Sequence, residues 1–108
     1  MEMNPANWAS VSWAEARKIP AKPGCYALMS ANDSVLYIGR SKILWNRLRN
    51  PSKHPGFNRV ALEKSNLKIA WMTGWNAYDS ERDLILRWNP PLCQERIRWQ
   101  GLVQRSTE

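Results

Sequence analysis

At 108 residues the chain has room for one domain around a single modest core. Its 44% apolar content, with seven tryptophans, excludes a disordered chain, and no apolar run nears the roughly 18 residues that span a bilayer. A net charge of +7 favours partners dense in negative charge, nucleic acid before others. Two cysteines, Cys25 and Cys93, make neither a disulfide framework nor a zinc site. The opening "MEMNPANWAS" lacks the basic start and apolar block of a signal peptide, so the expected compartment is the cytoplasm.

The first expected element is a short helix over Ser12 to Lys18, with Ser12 and Glu15 spaced as a capping box and Pro20 as its stop. "GCYALMS" and "SVLYIG", around the polar "ANDS", read as a β-hairpin with a tight link. Setting Tyr26 opposite Tyr37 and Leu28 opposite Val35 puts both phenols on one face of the sheet. "SKILWNRLRN" reads as a helix with Leu44 and Leu48 one turn apart on its buried stripe and Arg47 bordering it.

"PSKHPGFN" is a loop carrying His54, and "RVALEKSN" adds a short helical turn. "LKIAWMTGW" alternates as a third strand ending at Gly74. "NAYDSERDLILRWN" reads as one helix, capped by Asn76 or Ser80, with Leu84, Ile85 and Trp88 on its apolar face. Glu81 shares that face, and Pro90 with Pro91 end the helix. "CQERIRWQGLVQ" starts a last, basic helix. The economical fold is α+β: a small three-stranded antiparallel sheet flanked by helices.

Candidate chemistry rests on two tyrosines, several arginines, one inward carboxylate and a histidine. Phosphodiester hydrolysis uses parts of these types: a base for water, a metal on a non-bridging oxygen, and cations for the charge gathering on phosphorus. Free tyrosine titrates at about 10, and nearby Arg40, Lys42 or Arg47 would favour its phenolate. A carboxylate on a core-facing stripe, as Glu81 is, needs an ion pair or a metal, although first-turn glutamates also occur simply because the helix dipole favours them. Taken singly, Tyr26 and Tyr37 are more often packed residues at a sheet face, and His54 is most simply an exposed loop residue that is also eligible as an acid or base.

As an ordered set these residues resemble the GIY-YIG nuclease family. "GCY" at 24 to 26 is similar to its first signature, with Cys25 where isoleucine or valine is usual, and "YIG" at 37 to 39 matches the second. A basic residue, Arg40, follows Gly39, and Arg47 stands ten positions after Tyr37. "SERDLILRWNPPLC" looks like the late segment, with a glutamate opening a helix and a "PPL" turn after it.

The resemblance covers about residues 20 to 94. It implies that Tyr26 and Tyr37 are active-site tyrosines, one activating water, and that Glu81 is the sole protein ligand of Mg2+ or Mn2+. It further implies that Arg47 binds the scissile phosphate with Arg40 beside it, and that His54 falls where some members place a catalytic histidine. By the same resemblance Gly39, Asn89 and Cys93 would support the site. Cys93 departs from the family, which has asparagine after "PPL"; a thiol is a poorer donor and acceptor than an amide, and Asn89 lies one turn earlier.

The expected organisation is therefore one domain: an N-terminal helical extension (1–19), a nuclease-like core (20–94) and a basic tail (95–108). The expected function is a metal-dependent DNA endonuclease, with Lys42, Arg49, Arg96 and Arg98 contacting nucleic acid and a homodimer or partner protein supplying specificity. The alternatives are a catalytically weakened nucleic-acid-binding module on the same fold, and a protein-interaction domain.

Overall fold

The computed structural model describes residues 1–49 and 67–93. The loop bearing His54, the turn expected at 59–66 and the tail with Arg96 and Arg98 lie outside the described residues.

The sheet has four antiparallel strands where three were expected. They are β1 (Ala9–Ser12), β2 (Gly24–Met29), β3 (Val35–Ser41) and β4 (Lys68–Thr73), in the order β1-β4-β2-β3. β1 is short and polar, and it forms because β4 offers an open edge: Ala9 pairs with Trp71 and Val11 with Ile69. The helix expected from Ser12 is instead a kinked 3-10 segment, Trp13–Lys18. Ser12 caps no backbone group there, and its hydroxyl donates to the Glu15 carboxylate at 3.3 Å.

The hairpin registers two residues away from the expected pairing. Tyr26 lies opposite Gly39, Leu28 opposite Tyr37, and a bulge between Leu28 and Met29 leads to Met29 opposite Val35. The cause is the turn. The Ser30 amide donates to the Ser34 carbonyl at 3.0 Å, the Ser34 amide to the Ser30 hydroxyl at 3.1 Å, and Asp33 takes φ 66°. A slip of two preserves which face each side chain occupies, so both tyrosines still share one face.

β2 is buried along its whole length, between β3 and β4 and covered by helices. Helix α1 (Leu44–Leu48) buries Leu44 and Leu48 as its spacing requires. The expected single late helix is two: α2 (Trp75–Asp79) and α3 (Glu81–Trp88), joined at Ser80 with φ −89° and ψ 0°. Neither expected cap operates, because Asn76 lies inside α2 and the Ser80 hydroxyl donates back to the Asn76 carbonyl at 2.7 Å. Leu84 and Ile85 enter the core, and Asn89, left-handed at φ 47°, ends α3 before the buried Pro90. Among the described residues, no helix is long and apolar enough to cross a membrane.

Candidate active site

Two clusters form around the C-terminal half of β3. On the α1 side, Tyr26 and Tyr37 are diagonal neighbours, their ring centroids 6.1 Å apart and their planes inclined by 29°. Both are buried, Tyr26 at 1% exposure and Tyr37 at 5%. The Tyr26 ring lies over Gly39: a Cβ there would come within 2.5 Å of Tyr26 Cζ and overlap the hydroxyl oxygen. Gly24 answers the same need across β4, where a Cβ would overlap the Met72 carbonyl oxygen. Each glycine is thus required by close approach.

Arg47, projecting from α1, hydrogen-bonds the Tyr26 phenol. Burial pushes this phenol well above its ordinary value of 10, and Tyr37 adds to the rise by charge and by accepting its hydrogen bond. Arg47 pulls the other way without reversing it. For Tyr26 the expected phenolate is therefore corrected: the group is a protonated donor, because desolvation outweighs one cation.

Alternation turns Arg40 to the other side of β3, opposite Cys25. There the Arg40 Nε lies 3.9 Å from Oε1 of Glu81, the first residue of α3, whose side chain is only 12% exposed. The Arg40 guanidinium also sits 4.6 Å from the centre of the Tyr78 ring. The Cys25 thiol donates to the Ala77 carbonyl of α2, and burial, with help from Glu81, pushes it up to about 12. It is a fully protonated tether between sheet and helix.

Cys93 reaches the open edge of β3. Its sulfur accepts the Ile38 amide at 3.3 Å and donates to the Ile38 carbonyl at 3.3 Å. Ile38 lies between Tyr37 and Gly39, so the bridge fixes the strand that carries the site. The thiol thus serves as donor and acceptor at once. Asn89 is exposed and closes α3.

Lys42 is exposed just beyond β3, and Arg49, also exposed, lies 4.8 Å over the Trp45 ring. Tyr78 and Trp75 escaped the sequence reading. Tyr78 falls three residues before Glu81, a spacing that would have placed it beside the carboxylate.

No protein-family model matches the chain. It is 42% identical over 43 residues to UvrABC system protein C of Limosilactobacillus reuteri, covering 40% of this chain and 7% of that protein. It is 29% identical over 80 residues to the same protein of Zymomonas mobilis, covering 69% of this chain and 12% of that one. The chain thus spans about a tenth of the length of these relatives. Among solved structures, it matches the GIY-YIG N-terminal endonuclease domain of UvrC from Thermotoga maritima, bound to its catalytic divalent cation, magnesium. The TM-score is 0.56 at 28% identity, over 73% of this chain and 91% of that domain.

Proposed function

Because this chain carries a GIY-YIG domain, we propose that it is a metal-dependent endonuclease that hydrolyses phosphodiester bonds in DNA. The observation that carries the reading is Glu81, a nearly buried carboxylate at the start of α3, beside Arg40 and at the strand that presents Tyr37. Among the described residues no group of three or more potential metal ligands gathers. A single hard carboxylate fits magnesium or manganese, which keep several waters and share their remaining sites with phosphate oxygens.

In this reading Glu81 would hold the ion, which would supply Lewis-acid stabilisation of phosphate charge. Arg47 and Arg40 approach the phosphate from the two sides of β3 and neutralise the charge that builds on its oxygens. Tyr26, protonated and donating, orients Tyr37, and Tyr37 is the general base for the attacking water. His54 supplies an acid for the departing oxygen. Lys42, Arg49, Arg96 and Arg98 contact the DNA backbone, and a second copy or a partner protein, in the cytoplasm, supplies specificity.

The test is cleavage of duplex, nicked and branched DNA by the purified protein with Mg2+ or Mn2+. Tyr37→Phe should lower the rate about 10²–10⁴-fold, as loss of a general base does. Glu81→Gln should abolish cutting while DNA binding survives. Tight binding with no cutting in either metal would sink the enzyme and leave the binding module.

A further inference from the structure

Arg40 does more than face Glu81. Its guanidinium covers one face of Tyr78 at 4.6 Å, and the Tyr78 ring meets Trp75 edge-to-face at 5.3 Å and 73°. Trp75 is 57% exposed. Among tryptophans with described side chains it alone is exposed; Trp8 is buried, and Trp45, Trp71 and Trp88 are half-buried. From Glu81 outward, then, a carboxylate, a guanidinium, a phenol and an open indole follow in unbroken contact.

The backbone beneath this platform is tied to the sheet. The Gly74 amide donates to the Pro23 carbonyl at 2.7 Å, Ala77 is buried, and the Cys25 thiol holds the Ala77 carbonyl. Trp75 opens α2 directly after Gly74, so its backbone is fixed at both ends of that turn. A flat ring held open and pre-oriented loses little side-chain freedom when a second ring stacks on it.

We propose that Trp75, backed by Tyr78 and Arg40, is a stacking site for an unpaired nucleobase of the DNA strand, next to the phosphate handled at Glu81. The inference rests on the endonuclease reading. Charge selects the occupant: Arg40 lies in the platform, and the whole chain carries +7. Asp79, exposed one turn after Trp75, disfavours a phosphate at the indole and leaves it to an uncharged base. Bases in an intact duplex keep their faces covered; those in a gap, flap or mismatch do not. Stacking tolerates every base, so the site selects DNA structure and not sequence.

The experiment measures binding by wild type, Trp75→Ala and Trp75→Phe to three oligonucleotides: a paired duplex, the same duplex with a short single-stranded gap, and the gapped duplex with abasic sites in the gap. Binding is read without divalent metal, with melting curves confirming that each variant folds. Trp75→Ala should weaken gapped-DNA binding about tenfold, within the range for one base on one aromatic ring, and Trp75→Phe should restore most of it. Duplex and abasic DNA should show no change. Equal loss on all three, no loss on any, or a change in oligomeric state without a change in DNA affinity would overturn the stacking site. Wild type that cuts DNA while Trp75→Ala behaves identically refutes this inference alone; wild type that binds gapped DNA through Trp75 without cutting refutes only the endonuclease reading.

Discussion

Replacing Cys93 with alanine removes the one atom that bridges both backbone groups of Ile38. Ile38 and Cys93 are both 0% exposed, so water has no ready access to the abandoned groups. An unsatisfied buried amide costs about 1–3 kcal/mol, and the sulfur-sized void adds about 1 kcal/mol. The expected loss is about 2–4 kcal/mol, a large share of the roughly 5–15 kcal/mol that holds a domain together. At about 4–8 °C per kcal/mol for a chain near this size, the melting temperature should fall by about 8–30 °C. Serine keeps a donor and an acceptor at slightly shorter reach, so Cys93→Ser should lose only about 1 kcal/mol.

Cleavage should fall further than stability in the alanine variant, because Ile38 sits between Tyr37 and Gly39. Assayed well below its melting point, Cys93→Ala should be several-fold slower than Cys93→Ser. Cys93→Asn carries both hydrogen-bonding functions and should stay within a few-fold of wild type. Denaturant melts and cleavage rates on the three variants decide the matter. Equal destabilisation by alanine and serine would mean that sulfur contributes volume only, and a large gain of cleavage in Cys93→Asn would mean that the thiol bridge is deficient.

Gly39→Ala forces a methyl group into the Tyr26 ring and should destabilise by about 1–3 kcal/mol; Tyr26→Phe should not rescue it, because the overlap includes Cζ and not the hydroxyl alone. Alkaline pH should unfold the protein. The native Cys25 and Tyr26 hold their protons beyond the ordinary values of 9.0 and 10.0, so their contributions are complete below about pH 9 and fall as pH rises through 10 and beyond. Melts from pH 8 to 11 should show Cys25→Ala losing stability less steeply than wild type, by up to about 1.4 kcal/mol per pH unit above pH 9. DNA affinity should fall steeply with salt, and Lys42→Ala should reduce the logarithmic slope by about 0.9 on every sequence tested; a salt-independent affinity would favour a protein-interaction domain.

Much of this architecture was legible because side-chain parity and helical spacing depend on the local sequence alone. Tyr26 and Tyr37 had to share a face, Leu44 and Leu48 had to share a stripe, and Glu81 had to lie near Leu84 and Ile85. What escaped depends on contacts with distant chain. β1 has no apolar alternation of its own and exists only against the free edge of β4. The hairpin register is set by Ser30 and Ser34 closing a longer turn. The break at Ser80 follows a serine bonding back to Asn76, a choice that helix propensity leaves open. The protonated state of Tyr26 reflects burial, while the sequence displays only the neighbouring cations.

The two cysteines give these separate observations a common cause. The parts of the candidate site are spread around β3, an edge strand, with Tyr26, Tyr37 and Arg47 on one side and Arg40 and Glu81 on the other. An edge strand is held by one neighbour only, so its position is the weakest element of such a site. Cys93 fastens the free edge at Ile38, and Cys25 fastens α2, whose Tyr78 backs Arg40. Both thiols stand where the chain departs from the GIY-YIG signature it resembles, and both act as small buried donors to a backbone carbonyl. The two departures thus fall at joints that tie β3 and α2 on either side of the candidate site.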